Sequence, residues 1–203
     1  MSLEGIHEKY VKVRRVKVLG NLIAGFLPGG NVTMLDIGCG DGLLARQLMA
    51  LKPALSIVGI DTLVRRNCAI PVTSFQGESI PFETGSFDYS LLVDVIHHAE
   101  KPGVLLQEAL RVARKGVIIK DHYVRGFLAR RTLAFMDHLG NRRSGVAIPH
   151  NYWTPEEWGE ELERLGLRCE VKESRLRLYP VWADWIFGRG LHFAGVFFDA
   201  RTT

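Results

Sequence analysis

Leu35-Asp36-Ile37-Gly38-Cys39-Gly40-Asp41-Gly42 closes the first apolar run of the chain, Val32 to Ile37, and a helical pattern from Leu43 to Leu51 follows at once. A buried strand that passes through glycines into a helix is the opening unit of a parallel α/β sheet, whose ligands sit at the carboxyl ends of the strands. Outward from this stretch the rhythm repeats. Ser56 to Ile60 reads as a second strand, Val72 to Phe75 as a third and Phe87 to Val95 as a fourth. Val104 to Ala113 follows as a helix and Gly116 to Lys120 as a fifth strand. Upstream, Ile6, Tyr10, Val13, Val16, Leu19, Ile23 and Phe26 recur every three or four residues, the stripe of one amphipathic helix that ends near Pro28. Downstream, Phe127 to Leu139 reads as a helix and Gly140 to His150 as a loop. Thr154-Pro155-Glu156-Glu157 has the pattern of a capping box and opens a helix to Leu165. Leu167 to Leu178 alternates like an exposed antiparallel strand, with His192 to Phe198 as its partner.

The expected fold class is therefore α/β: one Rossmann-like, doubly wound domain over residues 1–203, with a mostly parallel seven-stranded sheet, an antiparallel last strand and helices on both faces. A chain of 203 residues with 47% hydrophobic and 24% charged side chains buries a full core without a disulfide or metal staple. No apolar run reaches the ~18–20 residues of a membrane span. Cys39, Cys68 and Cys169 lie far apart with no C-x-x-C pair, which argues against a disulfide scaffold and a zinc knuckle. The start, Met1-Ser2-Leu3-Glu4-Gly5, has no apolar h-region, so a cytoplasmic setting is the expectation.

Glycines at the first strand–helix turn admit a ligand to the backbone, and the helix start offers free N–H groups. The spacing is Gly38-x-Gly40-x-Gly42 and not the G-x-G-x-x-G of dinucleotide folds. Asp36 and Asp41 would repel a pyrophosphate and attract a ligand carrying an amine and a sulfonium. Asp61 ends the second strand about 20 residues on, where a carboxylate accepts the hydroxyls of a ribose. An adenosine with a cationic tail and no pyrophosphate is implied, a description that S-adenosylmethionine fits. A nicotinamide oxidoreductase is disfavoured by the same residues.

With these motifs in order, the chain resembles a class I S-adenosylmethionine-dependent methyltransferase of the type 11-like small-molecule group. The resemblance runs from Asn31 to His122. It includes Gln76-Gly77-Glu78-Ser79-Ile80-Pro81-Phe82, Ser86 to Leu92, Asp94-Val95-Ile96-His97-His98, the helix with Glu108 and Arg111, and Lys120-Asp121-His122. It implies that Asp36 holds the methionine amine, that Gly38, Cys39 and Gly40 admit the methionine moiety, and that Asp61 and Thr62 meet the ribose. Gln76, Gly77 and Glu78 fall at the adenine edge, Gln76 in place of the usual acid. Asp94 and Val95 line the methyl-donor pocket. It also implies a lid helix over residues 1–28, a cofactor-binding core over 31–122 and a substrate-shaping part over 123–203. Arg114-Lys115-Gly116 replaces the usual Pro-Gly-Gly, so an altered turn is expected there.

Methyl transfer from a sulfonium is an in-line displacement driven largely by positioning, with S-adenosylhomocysteine as the other product. A general base adds about 10²–10⁴ where the acceptor loses a proton. Candidates are His97, His98 and His122, with His150 and Tyr152 behind them; these histidines complete no zinc pattern, and no metal is expected. A small-molecule acceptor is the expected partner. The aromatic stretch Tyr179 to Phe187 could equally form a pocket wall or pack in the core or, less readily, touch a membrane surface. The basic run Lys9, Lys12, Arg14, Arg15 and Lys17 reads as a solvated helix face, since no stacking aromatics interleave to suggest nucleic acid. A protein that binds the cofactor without turnover has the same motifs.

Overall fold

The computed structural model describes residues 3–141, 151–179 and 190–200. His150, Arg142, Arg143 and the aromatic stretch beyond Tyr179 lie outside them. The elements run α1 (Leu3–Phe26), β1 (Val32–Ile37), α2 (Leu43–Leu51), β2 (Leu55–Asp61), β3 (Val72–Ser74) and β4 (Phe87–Val93). A 3-10 turn (Ile96–His98), α3 (Pro102–Val112), β5 (Ala113–His122), α4 (Ala129–Asn141), α5 (Pro155–Arg164), β6 (Leu167–Glu173) and β7 (His192–Asp199) follow. The sheet order is β3-β2-β1-β4-β5-β7-β6. β1 to β5 pair in parallel and β7 runs antiparallel to both β5 and β6. The order reverses between β1 and β4, which places the ligand cleft above their carboxyl ends.

Both faces of the sheet are covered, and the strands alternate between two cores. Leu35, Ile37, Val117, Ile119, Phe193 and Phe197 pack with α3 and α5 on one face. Met34, Leu91, Ile118 and Val196 pack with Leu19 and Ile23 of α1 and Leu48 of α2 on the other. At the α1–α2 crossing a Cβ on Gly20 would lie 2.7 Å from Gln47, so the two helices approach closely.

Three expectations need correction. Among the described side chains of the α1 stripe, burial begins at Leu19, while Val13 is 61% exposed. The upstream half is held by ion pairs described below, so its basic run is not merely a solvated face. The alternating run after α5 leaves the sheet at Glu173. Leu176 and Leu178 instead turn inward onto the α1 side core, so beyond Glu173 the run is no longer strand and these two leucines are buried. No altered turn follows α3 either: it passes into β5 without an intervening residue. Arg114 and Lys115, inside β5, pair with Asp88 of β4 at 3.3 and 3.0 Å.

β5 is longer than its apolar run. Lys120, Asp121 and His122 stay in the ladder because Ala194, Phe193 and His192 of β7 face them in register. Three polar residues are thereby carried, buried, to the carboxyl end of the sheet. The predicted capping box is present: the Thr154 hydroxyl accepts from the Glu157 N–H and the Glu157 carboxylate from the Thr154 N–H. Among the described residues no helix is long and apolar enough to cross a membrane.

Candidate active site

The glycine turn owes its shape to backbone freedom. Gly38, Gly40 and Gly42 have φ of 69°, 59° and 70°, a region costly for side chains. Two of them also meet close neighbours. A Cβ at Gly38 would lie 2.6 Å from Val95, and one at Gly42 2.7 Å from Ile70. Gly40 differs, since a Cβ there would meet only the Arg65 guanidinium at 3.9 Å. Its side-chain direction opens into the cleft. The Gly40 N–H donates to Oδ2 of Asp61 at 2.7 Å, which ties the turn to the end of β2. Oδ1 of Asp61 accepts from the Leu63 N–H at 2.9 Å. Cys39 turns away from the cleft, with its Sγ beside Gly59. Burial, with the nearby Asp36 charge, pushes its thiol up out of reach of ionisation.

Asp36 is 3% exposed, and among the described residues no donor or cation meets its carboxyl. Burial, then the charge of Asp61, raises its pKa to about 7. A buried carboxyl in that condition is suited to accept an ammonium group, which would supply the missing countercharge. Gly77 and Thr62 are neighbours across the adjoining loops, 3.5 Å from the Gly77 Cβ position to Thr62 Cγ2. Gln76 is exposed, whereas Glu78 is drawn toward Lys101 at 2.9 Å. The loop carrying them is pinned by α3: Glu108 accepts from the Ile80 N–H at 2.8 Å, and Arg111 donates to the Phe82 and Ile80 carbonyls.

Asp94 follows β4 with φ of 56°, a left-handed conformation unusual for a residue with a side chain. Its N–H donates to the Lys120 carbonyl at 2.8 Å, and the chain turns so that Val95 packs on Gly38. Its carboxylate lies between two cations, the buried Lys120 ammonium and the Arg15 guanidinium of α1. One helical turn before Arg15, Lys12 pairs with Asp41 of the glycine turn. Arg14 donates to the Arg177 carbonyl at 3.1 Å. The upstream half of α1 thus lies across the cleft, gripping a carboxylate on each side of it.

The candidate bases gather around a residue that sequence reasoning did not single out. Asp121 is 1% exposed and accepts from the Ile96 N–H at 3.0 Å, the His122 N–H at 2.8 Å and His97 Nδ1 at 2.6 Å. His122 Nδ1 stands 3.3 Å from the same oxygen. Burial alone would raise this carboxyl, but the two histidines and their hydrogen bonds hold it well below the usual range. The His97 ring stacks on Tyr152 at 5.5 Å, and His98 leans on it at 4.0 Å. Burial first, then the Lys120 charge, lowers His122 to about 3, so that ring is neutral. His192 joins from β7, its Nδ1 3.4 Å from Lys120 Nζ. His97, Asp121 and His122 also bring three potential ligand atoms within 4.8 Å of one another, a grouping that their spacing in sequence does not suggest. The missed signal was the polar tail Lys120-Asp121-His122 on an otherwise apolar strand.

The sheet is doubly wound and Rossmann-like, with one acid, Asp36, near the end of β1 and a second, Asp61, at the end of β2. Residues 35–119 match the family model described as Methyltransferase domain. An uncharacterized methyltransferase of Mycobacterium sp. is 28% identical over 178 residues, 78% of this chain and 69% of that protein. The malonyl-[acyl-carrier protein] O-methyltransferase of Legionella pneumophila is 33% identical over 91 residues, 39% of this chain and only 31% of that protein. The fold is similar to that of a Haloferax volcanii putative methyltransferase solved in complex with the Trm112 activator, at a TM-score of 0.66 and 15% identity. That likeness covers 95% of this chain and 93% of the other. Residues 35–119 of the chain are thus similar to the methyltransferase family. S-adenosylmethionine is the cofactor of that family, and the Asp36 carboxyl and the open cradle at Gly40 fit its ammonium-bearing tail.

Proposed function

We propose that the protein transfers the methyl group of S-adenosylmethionine to a small-molecule acceptor held over the carboxyl ends of β4 and β5. In this reading Asp36 receives the cofactor's amine, Gly38 and Gly40 receive its methionine chain, and Asp61 and Thr62 its ribose. Gln76, Gly77 and Glu78 border the adenine, and Asp94 and Val95 border the donor methyl. Bound there, the cofactor supplies an activated methyl on a sulfonium. The chain's own part is to orient it, exclude water and take up any proton the acceptor loses through His97, His98 or His122.

The buried carboxyl of Asp36 is the observation that carries this reading, because it follows on to the glycine turn and no cation among the described residues balances it. A dinucleotide would bring a pyrophosphate toward Asp36 and Asp41, which disfavours a nicotinamide enzyme. Calorimetric titration with S-adenosylmethionine, S-adenosylhomocysteine and NAD tests the site, and release of S-adenosylhomocysteine from a metabolite panel tests turnover. Binding of NAD with no binding of the sulfonium or its product would overturn the reading. Tight cofactor binding with no turnover across the panel would favour a non-catalytic cofactor-binding protein.

A further inference from the structure

We infer that the outward face of α4, with the turn before it, docks the protein on an anionic lipid surface. The inference goes beyond the proposed reaction and does not depend on it.

α4 carries apolar side chains on both sides. Inward, Ala129 and Leu133 pack with Tyr152 and Leu191. Outward, the Leu128 carbonyl accepts from the Thr132 N–H at 2.9 Å, so the helical spacing already holds at Leu128. Leu128, Arg131 and Phe135 then fall at i, i+3 and i+7, along one stripe. That stripe faces solvent, where a surface helix ordinarily places polar residues: Leu128 is 49% and Phe135 53% exposed. Phe127, in the turn just ahead, is 99% exposed. Isolated exposed hydrophobics need no explanation, and among the described residues Val13, Leu51 and Val104 are of that kind. Two rings and a leucine within nine residues form a patch. The turn that bears Phe127 leaves the sheet from the carboxyl end of β5, the end that holds the cleft.

The charge around the patch has one sign. Arg125, Arg130 and Arg131 are exposed, and from His122 to Met136 the sequence has no aspartate or glutamate. Arginines interleaved with Phe and Leu suit a phospholipid interface. The guanidinium groups donate to lipid phosphates while their stems and the neighbouring apolar side chains enter the acyl boundary. A second copy of the chain is disfavoured as the occupant, because face to face it would bring arginines against arginines. Single-stranded nucleic acid would complement the charge and stack on the two rings, but it gains little from Leu128. A hydrocarbon boundary accepts all three apolar residues alike.

Sedimentation of the full chain with vesicles of phosphatidylcholine, with and without phosphatidylglycerol, tests the docking face. The wild type should bind the mixed vesicles, bind the neutral ones far more weakly, and lose affinity for the mixed ones as salt is added. Changing Arg125, Arg130 and Arg131 to Gln should cost about fivefold each on mixed vesicles, roughly a hundredfold together. Phe127→Ser combined with Phe135→Ser should lower binding to both kinds of vesicle by about tenfold or more. Both variants should melt like the wild type, because every replaced side chain is exposed. Failure of the wild type to bind mixed vesicles overturns the inference. Binding that both variants retain in full overturns the assignment to α4; the arginine variant decides this should the phenylalanine variant fail to fold. Three results without vesicle binding would give the face another occupant: a lower melting temperature in the phenylalanine variant, a segment of the chain itself; a concentration-dependent dimer that this variant abolishes, a second copy; retention of a single-stranded oligonucleotide, nucleic acid.

Discussion

Asp36 and Asp61 stand at the ends of neighbouring strands, and the charge of Asp61 adds to burial in holding Asp36 at about 7. A carboxyl whose folded pKa lies above its unfolded value binds more protons when folded. Its favourable contribution is full below the unfolded value near 4 and is lost as pH rises toward 7. Asp36→Asn should therefore melt higher than the wild type at pH 8, with the difference gone at pH 4. Thermal denaturation of both proteins across that range checks it, and a lower melting temperature for the variant at pH 8 would contradict it. The cofactor's ammonium should reverse the cost in the wild type. Near pH 6, binding then releases a proton, visible as a calorimetric enthalpy that depends on the buffer's own ionisation heat.

Gly40 separates the needs of the turn from those of a ligand. With φ of 59° and open space around its Cβ position, Gly40→Ala should cost about 1–2 kcal/mol of stability from backbone strain alone. Cofactor binding should suffer far more than that, because the methyl group occupies the cradle. Gly38→Ala and Gly42→Ala should be the less stable proteins, since each adds a clash under 3 Å to a similar φ. Melting and cofactor titration on the same preparations test the order. A Gly40→Ala protein that binds S-adenosylmethionine as tightly as the wild type would remove the cradle assignment.

Most of the scaffold was legible because a parallel sheet writes its strands as apolar runs and its turns as glycines. Val32–Ile37 and Phe87–Val93 declare themselves in this way. The departures are places where a polar residue is buried by a partner distant in sequence. The apolar pattern stops at Lys120, and the ladder that keeps Asp121 and His122 in β5 comes from β7, far along the chain. Asp121 was hidden for the same reason: its four donors come from a turn after β4 and from its own neighbour. Leu176 and Leu178 misled by alternating, a pattern that an exposed strand and a half-buried irregular segment share.

Lys12 and Arg15 predict how α1 meets the cleft. Both pairs are half exposed on the cation side, so each contributes at most about 1 kcal/mol, and salt weakens them. Lys12→Ala combined with Arg15→Ala should leave the melting temperature nearly unchanged. The backbone amides before Leu19 should then exchange faster, while those of α1 from Leu19 onward keep their protection. Cofactor association and dissociation should both speed up, and added salt should move the wild type in the same direction. Hydrogen-exchange mass spectrometry and stopped-flow binding read the two effects. Unchanged exchange before Leu19 would show that apolar contacts, not the ion pairs, hold this half of the helix.

Lys120 offers the sharpest separation of stability from protonation. It is 1% exposed, and its ammonium meets the Asp94 carboxylate on one side and Nδ1 of His192 on the other. Removing one partner of a buried pair leaves the other charge poorly compensated, at about 3–5 kcal/mol when nothing replaces it. In Lys120→Met, Arg15 still faces Asp94, so the loss should fall below that range. In Asp94→Asn the buried ammonium loses its carboxylate, and the loss should reach it. The two variants should also split in their effect on His122. Burial and the Lys120 charge together hold this ring down at about 3. Lys120→Met removes the second cause, so the His122 pKa should rise, while burial keeps it below the ordinary value. Asp94→Asn removes a carboxylate 3.5 Å away and should move it, if at all, downward. Chemical denaturation orders the stabilities, and NMR titration of the His122 ring gives the two directions. A His122 that titrates identically in Lys120→Met and the wild type would mean that burial alone keeps the ring neutral.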